Sequence, residues 1–380
     1  MKFIRLNNYF APGNICLFFL VCVLSLSNNY AQAQKKSKKK SVQYEAELSF
    51  ATIYDNNILK YSEKYLDRFM NNEDPGRFHI DTYDDVILYQ SADLSSTFRI
   101  FKDLRTKIDF EINNSLYVVN SIKNWYFVTL GLQQYVTKRA SFKVFYSYIP
   151  EFYVRHFRDQ DLVDIYGYTP ITFVPFSFSK DNYGFWLQNT FFKSTRLRLA
   201  FDYSQYYYNK HYTEYDSKNF LYAINIYQTV YDKIRLEAGF HYLTSDAKGY
   251  DEPGETKAHS NDADASFVED GWSFGVDYQF PRIKKFNNDL DLQMDFQKRY
   301  FTTTHYVELD PEHAGRVDNC LQMSVTYNFD LSKSWNLSAF YNFFFRDSYS
   351  SSDYNKAYLN AEKDFRQSQI GVKVIYYIKI

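Results

Sequence analysis

Beyond about residue 42 the chain repeats one unit: roughly ten residues of alternating polarity, a short polar turn, then another such stretch. The clearest copy is Asp289-Leu290-Asp291-Leu292-Gln293-Met294-Asp295-Phe296-Gln297, in which every even position is apolar and every odd position is a carboxylate or an amide. Period-2 alternation places the two sets on opposite faces of a strand. A strand of a water-soluble sandwich also alternates, but seldom with an unbroken run of carboxylates and amides on one face. The pattern suits a wall with hydrocarbon on one side and water on the other. In lipid an open edge would strand backbone N–H and C=O groups without partners, so such a wall has to close on itself.

Fourteen such stretches follow one another, at about 42–51, 86–101, 106–119, 125–136, 141–157, 176–192, 197–213, 219–230, 234–245, 269–280, 289–303, 317–329, 335–349 and 357–380. Their connections alternate long and short, beginning with a long one. Short turns are the periplasmic rule of such barrels and long loops the extracellular one. The expected fold is therefore all-β: a transmembrane antiparallel up-and-down β-barrel of about fourteen strands, both termini periplasmic. Leu197, Leu199, Phe201 and Tyr203 should face lipid, as should Ile234, Leu236, Ala238, Phe240 and Tyr242, and Trp335, Leu337, Ala339, Tyr341, Phe343 and Phe345. Trp125 and Trp272 near outer ends and Trp335 near an inner end fit aromatic girdles at the two interfaces.

The N-terminus carries an address. Lys2 and Arg5 precede the apolar run Ile15–Leu24, and Ala31-Gln32-Ala33 fits a small-residue cleavage site. The run is too short for a spanning helix, which needs about 20 residues. The expected organisation is a cleaved signal peptide at 1–33, a basic periplasmic tail at 34–41 (Lys35 to Lys40 holding five lysines) and the barrel at 42–380. The tail is far too short for a plug domain. Aromatic residues make up 21% of the chain, 38 Tyr and 36 Phe, which suits a barrel with interfacial girdles. The net charge of −1 gives no nucleic-acid signal. Cys16 and Cys22 would leave with the signal, so Cys320 would remain without an intrachain partner.

The last strand resembles the assembly signal of Gram-negative outer-membrane β-barrel proteins: polar Gln369, then Gly371, then Val374 and Tyr376, with Ile378 and Ile380 beyond. A terminal Phe, common in that family, is absent. The segment Tyr54-Asp55-Asn56-Asn57-Ile58 is similar to openings of porin-like members. The resemblance is to an architecture and not to a subfamily. It implies a place in the bacterial outer membrane, lipid as the surroundings and recognition of the last strand by the barrel-assembly machinery.

About fourteen strands lies between barrels filled by side chains and wide aqueous porins. The expected lumen has an acidic wall of Glu237, Asp277, Asp289, Asp291 and Asp295, and basic positions at Arg99, Lys107, Arg198, Arg235, Lys373 and Lys379. Opposed arcs of this kind would set a transverse field; alternatively the charges pair, for instance Lys373 with Glu45 or Glu47. Ile58, Tyr61, Tyr65 and Phe69 recur at helical spacing in the first long connection, which suggests a short helix packed on the rim or lying in the mouth. Tyr206-Tyr207-Tyr208 with Tyr212 and Tyr215 forms a rim cluster, either an interfacial girdle or a platform for sugars. His156 with Asp159 and Asp161 could be drawn into a site, but no motif supplies a nucleophile, and no cofactor or metal spacing is apparent. Two functions remain open: a passive channel for small polar solutes, or a non-conducting surface or secretion-accessory barrel whose loops bind a partner or an exported polymer.

Overall fold

The alternating stretches pair in sequence order. The computed structural model of the protein describes residues 42–100, 104–192 and 194–379. The expected signal peptide and basic tail, parts of two turns and Ile380 lie outside the described residues. Fourteen antiparallel strands close into one barrel: β1 (Gln43–Asp55), β2 (Asp85–Arg99), β3 (Arg105–Tyr117), β4 (Trp125–Tyr135), β5 (Ala140–Arg158), β6 (Phe173–Thr190), β7 (Thr195–Tyr208), β8 (Ser217–Val230), β9 (Ile234–Ala247), β10 (Phe267–Gln279), β11 (Asn288–Phe301), β12 (Arg316–Asp330), β13 (Trp335–Ser350) and β14 (Phe365–Lys379). The seam joins β1 to β14 from Glu45↔Lys379 to Asp55↔Gln369, so the start of β1 and the end of β14 lie at the same end of the barrel. That end also carries the short turns; the long loops lie at the other.

Cross-strand partners share a face, so the register extends each alternating pattern around the wall. One row runs Leu236, Val276, Leu292, Val325, Tyr341 and Ile370 over β9 to β14. All six are exposed, and every strand leaves at least one large apolar side chain open on this outer face. In water a belt this continuous would drive aggregation; in lipid it is the solvated surface. The next row inward reads Arg235, Asp277, Asp291, Thr326 and Phe340 and ends at Gly371. A side chain at Gly371 would strike the Phe340 ring, so this glycine makes room for the only aromatic in the row.

Three boundaries differ from expectation. The last strand was expected from about 357, but residues 356–363 do not join it. They form a helix instead, since Lys-Ala-Tyr-Leu-Asn-Ala-Glu-Lys is rich in helix formers and buries Leu359 and Glu362 three apart on one side. Strand β7 stops at Tyr208, because the Asn209 amide turns the chain by bonding Pro175 O and Ser177 Oγ. Strand β1 continues to Asp55, paired with Asp85 on one side and Gln369 on the other. In β5, which contains Pro150, the register with β6 slips twice, between Ile149 and Phe152 and between Tyr153 and Arg155. A proline lacking an N–H is tolerated at such a bulge.

These faces predict unequal effects at adjacent positions. Leu292→Arg should impair insertion by about 2–4 kcal/mol near the bilayer midplane, whereas Asp291→Asn should insert normally. Heat-modifiable gel mobility measures both, and equal folding defects would mean that the faces are reversed.

Candidate functional site: a charged lumen under an interlocked loop cap

Strand register sets the inner face. Asp277 lies opposite both Arg235 and Asp291, Gln279 opposite Asp289, and Ser273 opposite Asp295. Glu237 shares this face through Gly275, so the five expected acids form one wall over β9 to β11. They are not equally free. Asp277 accepts from Arg235 at 2.6 Å, Asp289 from Asn328 at 2.7 Å and Asp291 from Gln293 at 3.0 Å. Glu237, Asp277 and Arg235 line a small cavity of about 170 Å³ with Arg196 and Tyr227.

The basic residues do not form one opposing arc. Arg198 bonds Gln188 at 2.9 Å and lies over the Trp186 ring, while Lys107 and Arg99 sit on the β2–β3 hairpin. Lys373 pairs in register with Ala51 and Ser338. Across the seam Lys379 lies 3.1 Å from Glu45, because the register puts Glu45 opposite residue 379, six residues beyond Lys373. Lys373 does not pair with Glu45, and its charge acts on Glu47 without a close contact. Gln369 donates to Asp55 at 2.8 Å, and Val374 and Tyr376 fall on the outer face.

At the loop end, segments of several long connections interlock in a layer whose pairings the sequence did not name. Helix α1 (Glu63–Met70) begins at Ser62, whose Oγ accepts from the Tyr65 N–H. It meets α3 (Lys356–Lys363) from the last loop: Lys64 lies 2.6 Å from Glu362, and the Tyr65 hydroxyl donates to the same carboxylate. On the other side of α3, Lys363 bonds Glu312 at 2.7 Å, Tyr358 donates to Glu312 at 2.9 Å, and the Lys363 ammonium lies 5.8 Å from the Phe157 ring. Further round, Arg77 bonds Tyr168, Arg155 donates to Leu59 O, and Asp264 N–H donates to Asp310. Ile58, Leu59, Tyr61, Tyr65 and Tyr153 form a buried apolar cluster within this layer. The stripe expected for α1 therefore anchors a cap.

Two sets of acids in the cap respond oppositely to pH. Burial pushes Glu312 upward, but Lys363, His313 and Tyr358 more than reverse it and hold its carboxyl well below the usual range. Burial pushes Glu214, in the 209–216 loop, up to about 8, with Asp251, Asp262 and Asp161 adding to the rise; one of its oxygens is buried without a hydrogen-bond partner. Among the described residues, Asp251, Glu255 and Asp262 bring donor oxygens within 4.8 Å of one another, but nothing besides that proximity points to a cation there.

His156, which could have joined Asp159 and Asp161, makes other contacts. His156 stacks on His79 with centroids 3.5 Å apart and bonds the Tyr153 hydroxyl. Asp159 instead caps α2 (Gln160–Tyr166) by accepting from Leu162 N–H and pairs with His211 at 2.8 Å.

A closed wall, an unbroken apolar outer belt and a charged interior are on the page together. The chain is an outer-membrane β-barrel. No protein-family model matches it, and no curated protein matches it in sequence. Similar solved structures include the outer membrane channel DcaP of Acinetobacter baumannii, with 11% identity over 90% of this chain and 99% of that one and a TM-score of 0.46. OmpT, an outer membrane protein of Vibrio cholerae, has 10% identity over 90% and 99% with a TM-score of 0.44. An anion-selective porin from Comamonas acidovorans has 8% identity over 90% and 100% with a TM-score of 0.42.

The pKa directions define a pH window for the cap. A carboxyl depressed by its partners, as Glu312 is, stabilises the fold above its ordinary value of 4.5, and that contribution is lost as pH falls through the folded value. A carboxyl raised to about 8, as in Glu214, does the reverse, and stability declines as pH rises from 4.5 through about 8. Amide exchange in 209–216 and 248–266, corrected for intrinsic rates, should therefore be faster at pH 8.5 than at pH 6. Glu214→Gln should flatten that dependence; an unchanged pH profile in the variant would remove Glu214 from the account.

Proposed function

We propose that this barrel is a passive channel for small polar solutes, with its turns and termini on the periplasmic side and the loop cap as an outer gate. The observation that carries the reading is the inner wall: Asp289, Asp291 and Asp295 line the lumen of a closed barrel and remain only half-buried. A barrel used only as a scaffold has no need of ionised side chains kept in contact with water. The cap is held largely by ion pairs and hydrogen bonds between loops, contacts that water can replace when the layer opens. The last strand, with Gln369 and Gly371, is proposed as the segment read by the barrel-assembly machinery.

The competing reading, a non-conducting surface barrel, draws on the same cap, because interlocked loops can seal the mouth for good. Planar-bilayer conductance of the refolded protein separates the two. Glu312→Ala leaves Lys363 largely buried without its carboxylate, at a cost of about 3–5 kcal/mol to the cap. The wild type should show low or intermittent conductance and the variant a several-fold increase. No current steps in either protein would favour the sealed barrel.

Selectivity tests the wall itself. Asp291 and Asp295 lie on one strand face four residues apart, roughly 13 Å at about 3.4 Å per residue, so their fields overlap partly at a Debye length of about 8–10 Å and more fully as salt is lowered. Reversal potentials in a salt gradient should favour cations, and Asp291→Asn with Asp295→Asn should reduce that preference most at low salt. An anion-selective wild-type pore would transfer control to the separate basic positions Lys107 and Arg198.

A further inference from the structure

The tyrosine cluster of the 206–215 region divides once folded. Tyr207 points to the outer face and is 43% exposed, and Tyr212 is buried in the cap. Tyr206, Tyr208 and Tyr215 instead turn inward and line a cavity of about 490 Å³ inside the barrel, over β6 to β11 and under the cap. That volume falls within the range of roughly 300–1,000 Å³ typical of small-molecule sites.

We propose that this cavity binds a neutral saccharide of one or two rings. One side is aromatic: Phe176 packs against Tyr208 at 4.9 Å and Tyr215 at 5.2 Å, and Tyr206 stands beside them on β7. Across the trough, Phe267 and Phe301 present a second aromatic side. The same cavity is lined by polar Asn182, Asp202, Ser204 and Ser217. A pyranose has an apolar C–H face that lies on an aromatic ring and a rim of hydroxyls that needs both donors and acceptors. Asp202 supplies acceptors, Asn182 supplies both kinds, and serine and tyrosine hydroxyls rotate to either role. A hydrocarbon would leave this polar strip dry and unsatisfied.

The charges favour a neutral ligand. Arg299 is held by Glu269 at 2.7 Å and lies over the Phe267 ring, so it presents little free charge. Lys180, 4.8 Å from the centre of the Tyr206 ring, is balanced by Asp202 in the same cavity. An anion would meet Asp202 as well as the two cations, one of which Glu269 already neutralises. The inference gives the proposed channel its substrate class and rests on that reading for its role in transport, but binding can be measured separately.

Titration calorimetry with glucose, maltose and sucrose tests it, on the refolded protein in a detergent without a sugar headgroup. At least one of the three should bind saturably. Loss of a stacking ring in Tyr206→Ala should weaken that binding about tenfold. Asp202→Asn, which preserves volume, should also weaken it and carries the test if the alanine variant fails to fold. Tyr207→Ala, on the outer face, should bind as the wild type does. Absence of saturable binding for all three sugars would overturn the inference, as would an equal loss in Tyr207→Ala. Conductance without sugar binding would remove the inference and leave the channel; sugar binding without conductance would do the opposite.

Discussion

Everything in this molecule follows from the requirement that no backbone N–H or C=O be left unpaired in hydrocarbon. The pairing of β1 with β14 meets it, because that seam is what removes the last two edges. Once the ring is closed, each strand has one face in lipid and one in the lumen, and alternation becomes compulsory over its whole length. Leu292 and Asp291 are neighbours in sequence yet belong to opposite solvents. The seam is reinforced by side chains on its inner face, where Gln367 and Gln369 both donate to Asp55 and Lys379 meets Glu45.

Closure also moves the place where apolar side chains are hidden. The wall turns its largest hydrophobic residues outward, so the buried apolar cluster around Tyr61 and Tyr65 sits in the loops rather than between sheets. Around it, polar pairs do the joining: Glu312 with Lys363, Glu362 with Lys64, Asp159 with His211. Two cations of the cap also pack against rings, Lys363 on Phe157 and Arg77 on Tyr65 and Phe173. The lumen below follows the same economy of space. Gly131 lacks the side chain that would block the 2.7 Å pair between Asp109 and Lys143, which passes over it from β3 to β5.

What was legible in the sequence was whatever is local. Alternation over ten residues fixes a strand and its faces, and polar turns fix the hairpins, so the number of strands and the direction of Leu199 or Tyr341 could be read directly. The cap could not, because its partners have no common signature. Nothing near Lys64 announces Glu362, and nothing near Glu312 announces Lys363. The helix at 356–363 did leave a trace in its lack of alternation and its run of Ala, Leu, Glu and Lys, which the pull toward one long final strand hid. The exchange of Lys373 for Lys379 at the seam is a register effect, invisible until β14 is laid against β1. His156 illustrates a third limit: proximity in sequence to Asp159 counted for less than the bulges in β5 and the stacking of His79.

The pairs that fasten the cap are separated by great lengths of chain. Lys64 and Glu362 are 298 residues apart, and Asn57 reaches Arg366 O across 309. Loop-closure entropy makes such contacts unfavourable until the ring itself has brought the ends together. A barrel arrested one hairpin short lacks α3, and with it the Lys64–Glu362 and Lys363–Glu312 contacts. The hairpin that completes the wall therefore also carries the helix that ties the last loop to the first.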